Sequence, residues 1–199
     1  MRIVDEIAGA IGWLEDGRLQ RTSHALAVDG RVWLVDVVDD ERLVERVGAL
    51  GEPAGVVQLL DRHDRDCAGV AGRLGVPHHV VPAQLPGTPF QLLPVARGRW
   101  WREVALWWPE RRILVVADAL GTIPFFCAGG EPVGVHPFLR LFRVPRALAG
   151  LEVEHLLVGH GAGVHGEAAA PAVDEAIRTA RHRIPRWVAG VPRIVRSGY

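Results

Sequence analysis

The chain contains no lysine; all 23 of its basic residues are arginine. That excludes chemistry built on a Schiff-base lysine or on a phosphate-loop lysine. It also leaves every basic side chain charged at any relevant pH. Cysteine is scarce, with only Cys67 and Cys127, so no disulfide framework is indicated. Long apolar runs are missing too. The best, Val56-Val57-Gln58-Leu59-Leu60 and residues 113–117, are strand-sized and far short of the roughly 20 residues a membrane helix needs. Neither sign of charge is in excess, because 23 acidic residues balance the 23 basic ones. Nothing global therefore points to nucleic acid or to an anionic membrane as partner. The first residues, Met1-Arg2-Ile3-Val4-Asp5-Glu6, carry charge early and lack the apolar core of a signal peptide. The expectation is a cytoplasmic protein with no membrane or nucleic-acid partner.

What is present suits one domain spanning residues 1–199, long enough to bury a substantial core. No internal repeat or low-complexity linker divides it. Residues 25–28 and 32–38 flank Asp29-Gly30, a two-residue hairpin signal. Residues 41–50 place Leu43, Val44, Val47 and Leu50 at helical spacing. Residues 56–60 read as a short strand buried on both faces. Residues 67–74 read as a helix closed by Gly75 and followed by Pro77, and residues 79–81 as a brief strand. A second hairpin joins strand 103–108 to strand 113–117 through the turn 109–112, with Asp118 at its end. Residues 138–148 have helical character broken at Pro145, and residues 154–158 form a strand running into Gly159-His160-Gly161. Residues 168–183 make a helix with Val173, Ala176, Ile177 and Ala180 on one face and Pro171 in its first turn. The tail, residues 185–199, reads as irregular. Antiparallel strand pairs with helices between them predict two packed sheets covered by helices, an α/β class.

Three polar segments follow apolar strands: Asp61-Arg62-His63-Asp64-Arg65-Asp66-Cys67, Asp118-Ala119-Leu120 and Gly159-His160-Gly161. Polar groups at strand ends converge readily at one edge of a sheet, where sites are commonly built. Aspartate, cysteine and histidine are the residue types that bind a borderline-soft cation such as zinc.

In these segments the chain resembles the metallo-β-lactamase superfamily, over residues 23–177 and in the family's order. Val35-Asp36 looks like the family's early strand ending in aspartate. Residues 59–69 sit where the family carries His-x-His-x-Asp-His. Residues 109–118 resemble the hairpin that delivers a metal-bridging aspartate, and Gly159-His160-Gly161 resembles the segment of the final histidine ligand. The resemblance implies a four-layer αβ/βα sandwich of two mixed sheets flanked by helices. It also implies hydrolysis of an ester, thioester, amide or phosphoester in a small-molecule substrate.

Setting Asp66-Cys67-Ala68-Gly69 on the family's Asp-His-x-Gly puts Arg62 and Asp64 at its first two histidine positions. Counting back from Pro109 puts Arg99 near the third. The first metal position would then be lined by Arg62, Asp64 and Arg99 and would hold no ion, since a guanidinium has no lone pair to offer. The second, lined by Asp66, Cys67, Asp118 and His160, could hold a single zinc or iron ion, with Asp64 orienting or deprotonating a water. The alternative is a non-catalytic binding or regulatory protein in which Asp66 and Asp118 pair with Arg62, Arg65 or Arg99. Arg62 and Arg99 could also grip an anionic ligand between them. In this register His63 lies beside the site or at the surface rather than among the ligands; a shift of one residue reverses that. His155 is expected to pack or cap, and His165 either to reach the site or to lie in an exposed loop. Of the seven tryptophans, one each of Trp100-Trp101 and Trp107-Trp108 should face the core. The other of each pair packs under a helix, lines a cleft or joins a homodimer interface.

Overall fold

Asp29 and Gly30, at φ 49° and 75°, form the left-handed pair that a two-residue hairpin demands. They fold β3 (Thr22–Val28) back onto β4 (Arg31–Val35). Two strands that the sequence reading did not anticipate, β1 (Arg2–Ile7) and β2 (Ala10–Leu14), extend this ladder antiparallel on one side. β5 (Glu52–Gln58) and β6 (His78–Val80) extend it parallel on the other. Between them runs α1 (Cys67–Leu74), stopped by Gly75 at φ 67°, a conformation a side chain would strain. The result is a six-stranded mixed sheet in the order β1-β2-β3-β4-β5-β6. The computed structural model describes residues 1–40, 45, 47–63 and 65–196. Leu43 and Val44, half of the apolar face expected over residues 41–50, lie outside the described residues.

The second sheet starts with β7 (Gln91–Gly98), also unanticipated, paired with β8 (Trp101–Trp108). A 3-10 turn over Pro109–Arg111, closed by Arg112 at φ 50°, leads into β9 (Ile113–Val116). A small ladder of β10 (Leu120–Gly121) with β11 (Gly134–Val135), then α2 (Pro137–Phe142), intervene before β12 (His155–Val158) returns parallel to β9. β13 (Val164–His165) closes the order β13-β12-β9-β8-β7. The chain ends with α3 (Ala169–Thr179) and α4 (Ile184–Arg196). The last helix corrects the expectation of an irregular tail. Its ordering has a visible anchor: the Trp187 indole donates to the Phe125 carbonyl at 2.8 Å.

Strand alternation assigns the layers. In β4, Trp33 and Val35 enter one core cluster with Leu106, Ile113 and Val115 of the second sheet. The intervening Val32 and Leu34 enter another with Cys67, Val70 and Ala71 of α1. The two mixed sheets therefore pack face to face. α1 covers the first sheet, and α3 adds Ala172, Val173 and Ala176 to the shared core. Among the described residues no helix is long and apolar enough to cross a membrane.

β4, β5, β9 and β12 all finish at one edge of the sandwich, and close backbone approach locks two of these ends together. A Cβ on Gly159 would stand 2.5 Å from the Ala117 carbonyl oxygen. Gly159→Ala should therefore cost about 1–3 kcal/mol, as overpacking does, and lower the melting temperature. A melting curve identical to that of the parent chain would refute this close fit.

Candidate metal centre

Each strand end hands the chain to a polar residue. After β4, Asp36 turns at φ 46°, and its Oδ1 accepts the Leu59 N–H at 3.0 Å, tying down the segment that leaves β5. That segment turns at His63, whose N–H donates to the Leu60 carbonyl at 3.1 Å. β9 runs into Asp118, and β12 into Gly159 and His160. The Gly159 N–H reaches the Ala117 carbonyl at 3.2 Å, and the Thr22 N–H reaches the Gly159 carbonyl at 2.9 Å.

The side chains meet at one atom. His63 Nε2 lies 2.9 Å from Asp118 Oδ1, and His160 Nε2 lies 3.1 Å from the same oxygen. Among the described residues these three form the group whose donor atoms, all within 4.8 Å of one another, could hold a metal ion. Acceptors stand behind both rings. His160 Nδ1 is 2.6 Å from the Leu19 carbonyl oxygen, which fixes the ring proton there. His63 Nδ1 is 3.3 Å from Asp36 Oδ2, a charge contact rather than a well-aligned hydrogen bond. With Nδ1 carrying the proton, each neutral ring presents its Nε2 lone pair to a carboxylate oxygen. Such an arrangement needs a cation or added protons between the groups. Two imidazoles and a carboxylate, oriented by carbonyl and carboxylate partners behind them, are a donor set that suits zinc or ferrous iron.

With no cation between them the groups take the other course, and protons fill the gap. Burial and the Arg65 charge depress the His63 imidazole, but the carboxylates of Asp36 and Asp118 outweigh them and raise it to about 9. Burial pushes Asp118 up, while hydrogen bonds from His160 and His63 carry it well below the usual carboxylate range. Arg65 sends its guanidinium inward to the carbonyls of Thr22, Asp36 and Gly159. It places a fixed positive charge beside the cluster and stitches the ends of both sheets.

Glu103 holds Asp118 in place from behind. It is fully buried, and its Oε1 accepts the N–H groups of Asp118 at 2.9 Å and Ala119 at 2.7 Å. Its Oε2 accepts the Trp101 indole N–H at 2.7 Å. Burial and the neighbouring Asp118 charge push its carboxyl up to about 8, against the donors that favour its ionised form. Aromatic rings line one side of the site. Phe126 stacks on His160 with centroids 5.6 Å apart, and His136 packs 5.3 Å from Phe126 and 4.8 Å from Trp101.

Of the four ligands expected from the sequence, the structure brings Asp118 and His160 together and supplies His63 in place of Asp66 and Cys67. The reason is the direction of the turn after β5. Asp66 is exposed and its Oδ2 accepts the Asp39 N–H at 2.8 Å. Cys67 points under α1, its thiol 3.8 Å from the Val37 carbonyl, and burial pushes it up to about 12, far from the thiolate a metal requires. Arg62 and Arg99 stack on different rings, Trp101 and Trp100 at 5.3 and 5.4 Å, and Arg62 also pairs with Asp61. Asp64, expected to be catalytic, lies outside the described residues. His155 and His165 contact each other, and His165 pairs with buried Asp5 at 3.0 Å, away from this cluster. Sequence reasoning missed Glu103, the three carbonyl contacts of Arg65 and the geometry of His63. The signal for His63 was present, as the one histidine of its loop.

Glu103→Ala leaves the Asp118, Ala119 and Trp101 N–H groups without their acceptor. The expected loss is about 2–3 kcal/mol in urea unfolding, given ~1–3 kcal/mol for an orphaned buried donor. Glu103→Gln, which keeps an oxygen for the backbone pair, should recover part of it; equal stability of all three proteins would refute the role. Burial holds His136 down to about 4 from its ordinary 6.5, although the Asp118 charge pulls the other way. The folded state thus favours neutral His136. This stabilisation is whole above about pH 6.5 and is lost as pH falls through about 4. The stability difference between the parent chain and His136→Gln should therefore shrink from pH 7 to pH 4, and a constant difference in thermal melts would contradict it.

No family model matches this sequence, and no curated protein matches it. Solved structures do. The DIM-1 metallo-beta-lactamase superposes with a TM-score of 0.62 at 15% identity, covering 90% of this chain and 97% of its own. The metallo-beta-lactamase from Pontibacter korlensis gives 0.61 at 11% identity, covering 89% and 98%. The BLEG-1 B3 metallo-beta-lactamase gives 0.55 at 16% identity, covering 76% and 91%. With its two mixed sheets, its flanking helices and its histidine–aspartate cluster at the strand ends, this chain has the metallo-β-lactamase fold.

Proposed function

We propose that the protein is a hydrolase of the metallo-β-lactamase type that works with one metal ion, held by His63, Asp118 and His160. The observation that carries this reading is the aim of two imidazoles, each backed by an acceptor at Nδ1, at a single carboxylate oxygen. Three protein ligands leave a coordination position open, as catalytic sites do. Bound there, zinc or iron supplies Lewis acidity, polarising a carbonyl or phosphoryl oxygen and acidifying water. The chain's own groups do the rest. The Leu19 carbonyl holds the His160 ring proton on its far side, and the Asp36 charge favours a proton on the far side of His63. Glu103 fixes the Asp118 backbone, and Phe126 with His136 walls off solvent on one flank. Arg65 occupies the interior with a permanent charge, which supports one ion rather than two. The substrate class is an ester, thioester, amide or phosphoester. Both cysteines are free thiols, which suits a reducing, cytoplasmic setting.

A second reading has its own observation. His63 lies between Asp36 and Asp118 at 3.3 and 2.9 Å, and its raised affinity for a proton lets an imidazolium close the site as an ion-pair cluster. In that form the protein is a non-catalytic binding or regulatory member of the fold. Elemental analysis of the purified protein separates the two. The hydrolase reading expects about one equivalent of zinc or iron per chain. His63→Ala, Asp118→Ala and His160→Ala should each abolish it, while Asp66→Ala and Cys67→Ala retain it. A metal-free protein whose melting temperature is unmoved by chelator and by added zinc overturns the hydrolase reading and supports the ion-pair one.

A further inference from the structure

Some arginines on this surface find carboxylates, while Arg2, Arg18, Arg31 and Arg97 have none among the described residues. Arg21 pairs with Glu15, Arg73 with Asp39, Arg102 with Asp61 and Arg178 with Glu175. Around one cleft three unpaired arginines stand together. The end of α2, the 3-10 turn over Arg146–Leu148, β7 and the turn between α3 and α4 border an open cleft of about 350 Å³. Arg143, Arg146 and Arg181 line it, and no carboxylate does. All three are exposed, and among the described residues none of their guanidinium groups has an ion-pair or hydrogen-bond partner. Three like charges at one concavity repel one another, and the chain spends no acidic residue to relieve them although its overall charge is balanced. The same cleft presents Phe142, 66% exposed, with Val95 and Val144 beside it. The exposed ring offers a flat apolar face on which an aromatic or apolar ligand group could lie.

We propose that this cleft binds a small organic phosphate, its oxyanion held by Arg143, Arg146 and Arg181 and its apolar or aromatic portion lying on Phe142. A phosphate monoester or diphosphate matches the charge better than a carboxylate, because it brings about two or more negative charges and several acceptor oxygens to three guanidinium forks. The site is separate from the metal centre and shares no residue with it. Ring contacts connect them: Phe142 packs on Phe138 with centroids 4.6 Å apart, and Phe138 stacks on Trp101 at 5.4 Å.

Calorimetric titration of the full chain in the presence of chelator tests this without any contribution from a metal ion. Pyrophosphate and phenyl phosphate should each bind at one equivalent, and phenol should not. Arg146→Ala and Arg181→Ala should each weaken both anions ~tenfold, the scale of one lost charge-assisted contact. Phe142→Ala should weaken phenyl phosphate and spare pyrophosphate. Arg18→Ala, an exposed arginine that does not line the cleft, should change neither. Absence of binding for both anions up to millimolar concentration overturns the proposal. So does equal weakening by Arg18→Ala, which would mark simple charge attraction.

Discussion

A single carboxylate oxygen, Asp118 Oδ1, faces two imidazole nitrogens at hydrogen-bond distance, and much of the surrounding structure serves to hold that meeting. The three residues come from three strand ends in two different sheets. Their geometry therefore depends on the register of β4, β5, β9 and β12. Backbone contacts enforce it: Gly159 rests on the Ala117 carbonyl, and Thr22 reaches across to Gly159. Glu103 lies on β8 opposite the strand that delivers Asp118. By gathering the Asp118 and Ala119 amides it fixes the end of β9 beneath the Asp118 side chain. Lost register in any of these strands would move one donor atom out of reach of the others.

Charge balance is the second constraint. Asp36, Glu103 and Asp118 bring three carboxyl groups into the interior, and buried charges need partners. A chain without lysine answers with a guanidinium, whose fork of donors can satisfy several acceptors at once. Arg65 uses its fork on three carbonyls from three separate segments, joining both sheets beneath the site. The sequence set Arg62 and Arg99 at the lost metal position and named Arg65 only as a possible carboxylate partner. The inward guanidinium belongs to Arg65, while Arg62 and Arg99 lie on tryptophan rings.

The aromatic residues tie this centre to its surroundings. Trp101 is held by Glu103 through its indole N–H and touches His136, Phe138 and the Arg62 guanidinium. Neighbouring Trp100, on the hairpin turn, is 71% exposed. That split follows from position, since Trp101 opens β8 and faces the core while Trp100 lies on the turn in solvent. Trp107 and Trp108 depart from it, since both are buried: β8 is central in its sheet and covered on both faces.

Local patterns were legible without coordinates. The Asp29-Gly30 hairpin, the helix closed by Gly75, the hairpin ending at Asp118 and the strand running to His160 each carry short-range chemistry that dictates their form. These elements, in that order, pointed to the right architecture. β1, β2 and β7 were not legible, because their residues take strand form from the neighbours they pair with. The helix over residues 184–196 was hidden by its prolines and is anchored through a distant carbonyl of residue 125. The site divides the same way. Asp118 and His160 could be named, since each closes an apolar strand. That His63, rather than Asp66 or Cys67, turns toward them was only partly legible: it is the one histidine of its loop, but a tight polar loop has no periodicity to say which side chains turn inward. That was decided by the far ends of the contacts, Asp36, Leu19 and Glu103, which only folding brings within reach.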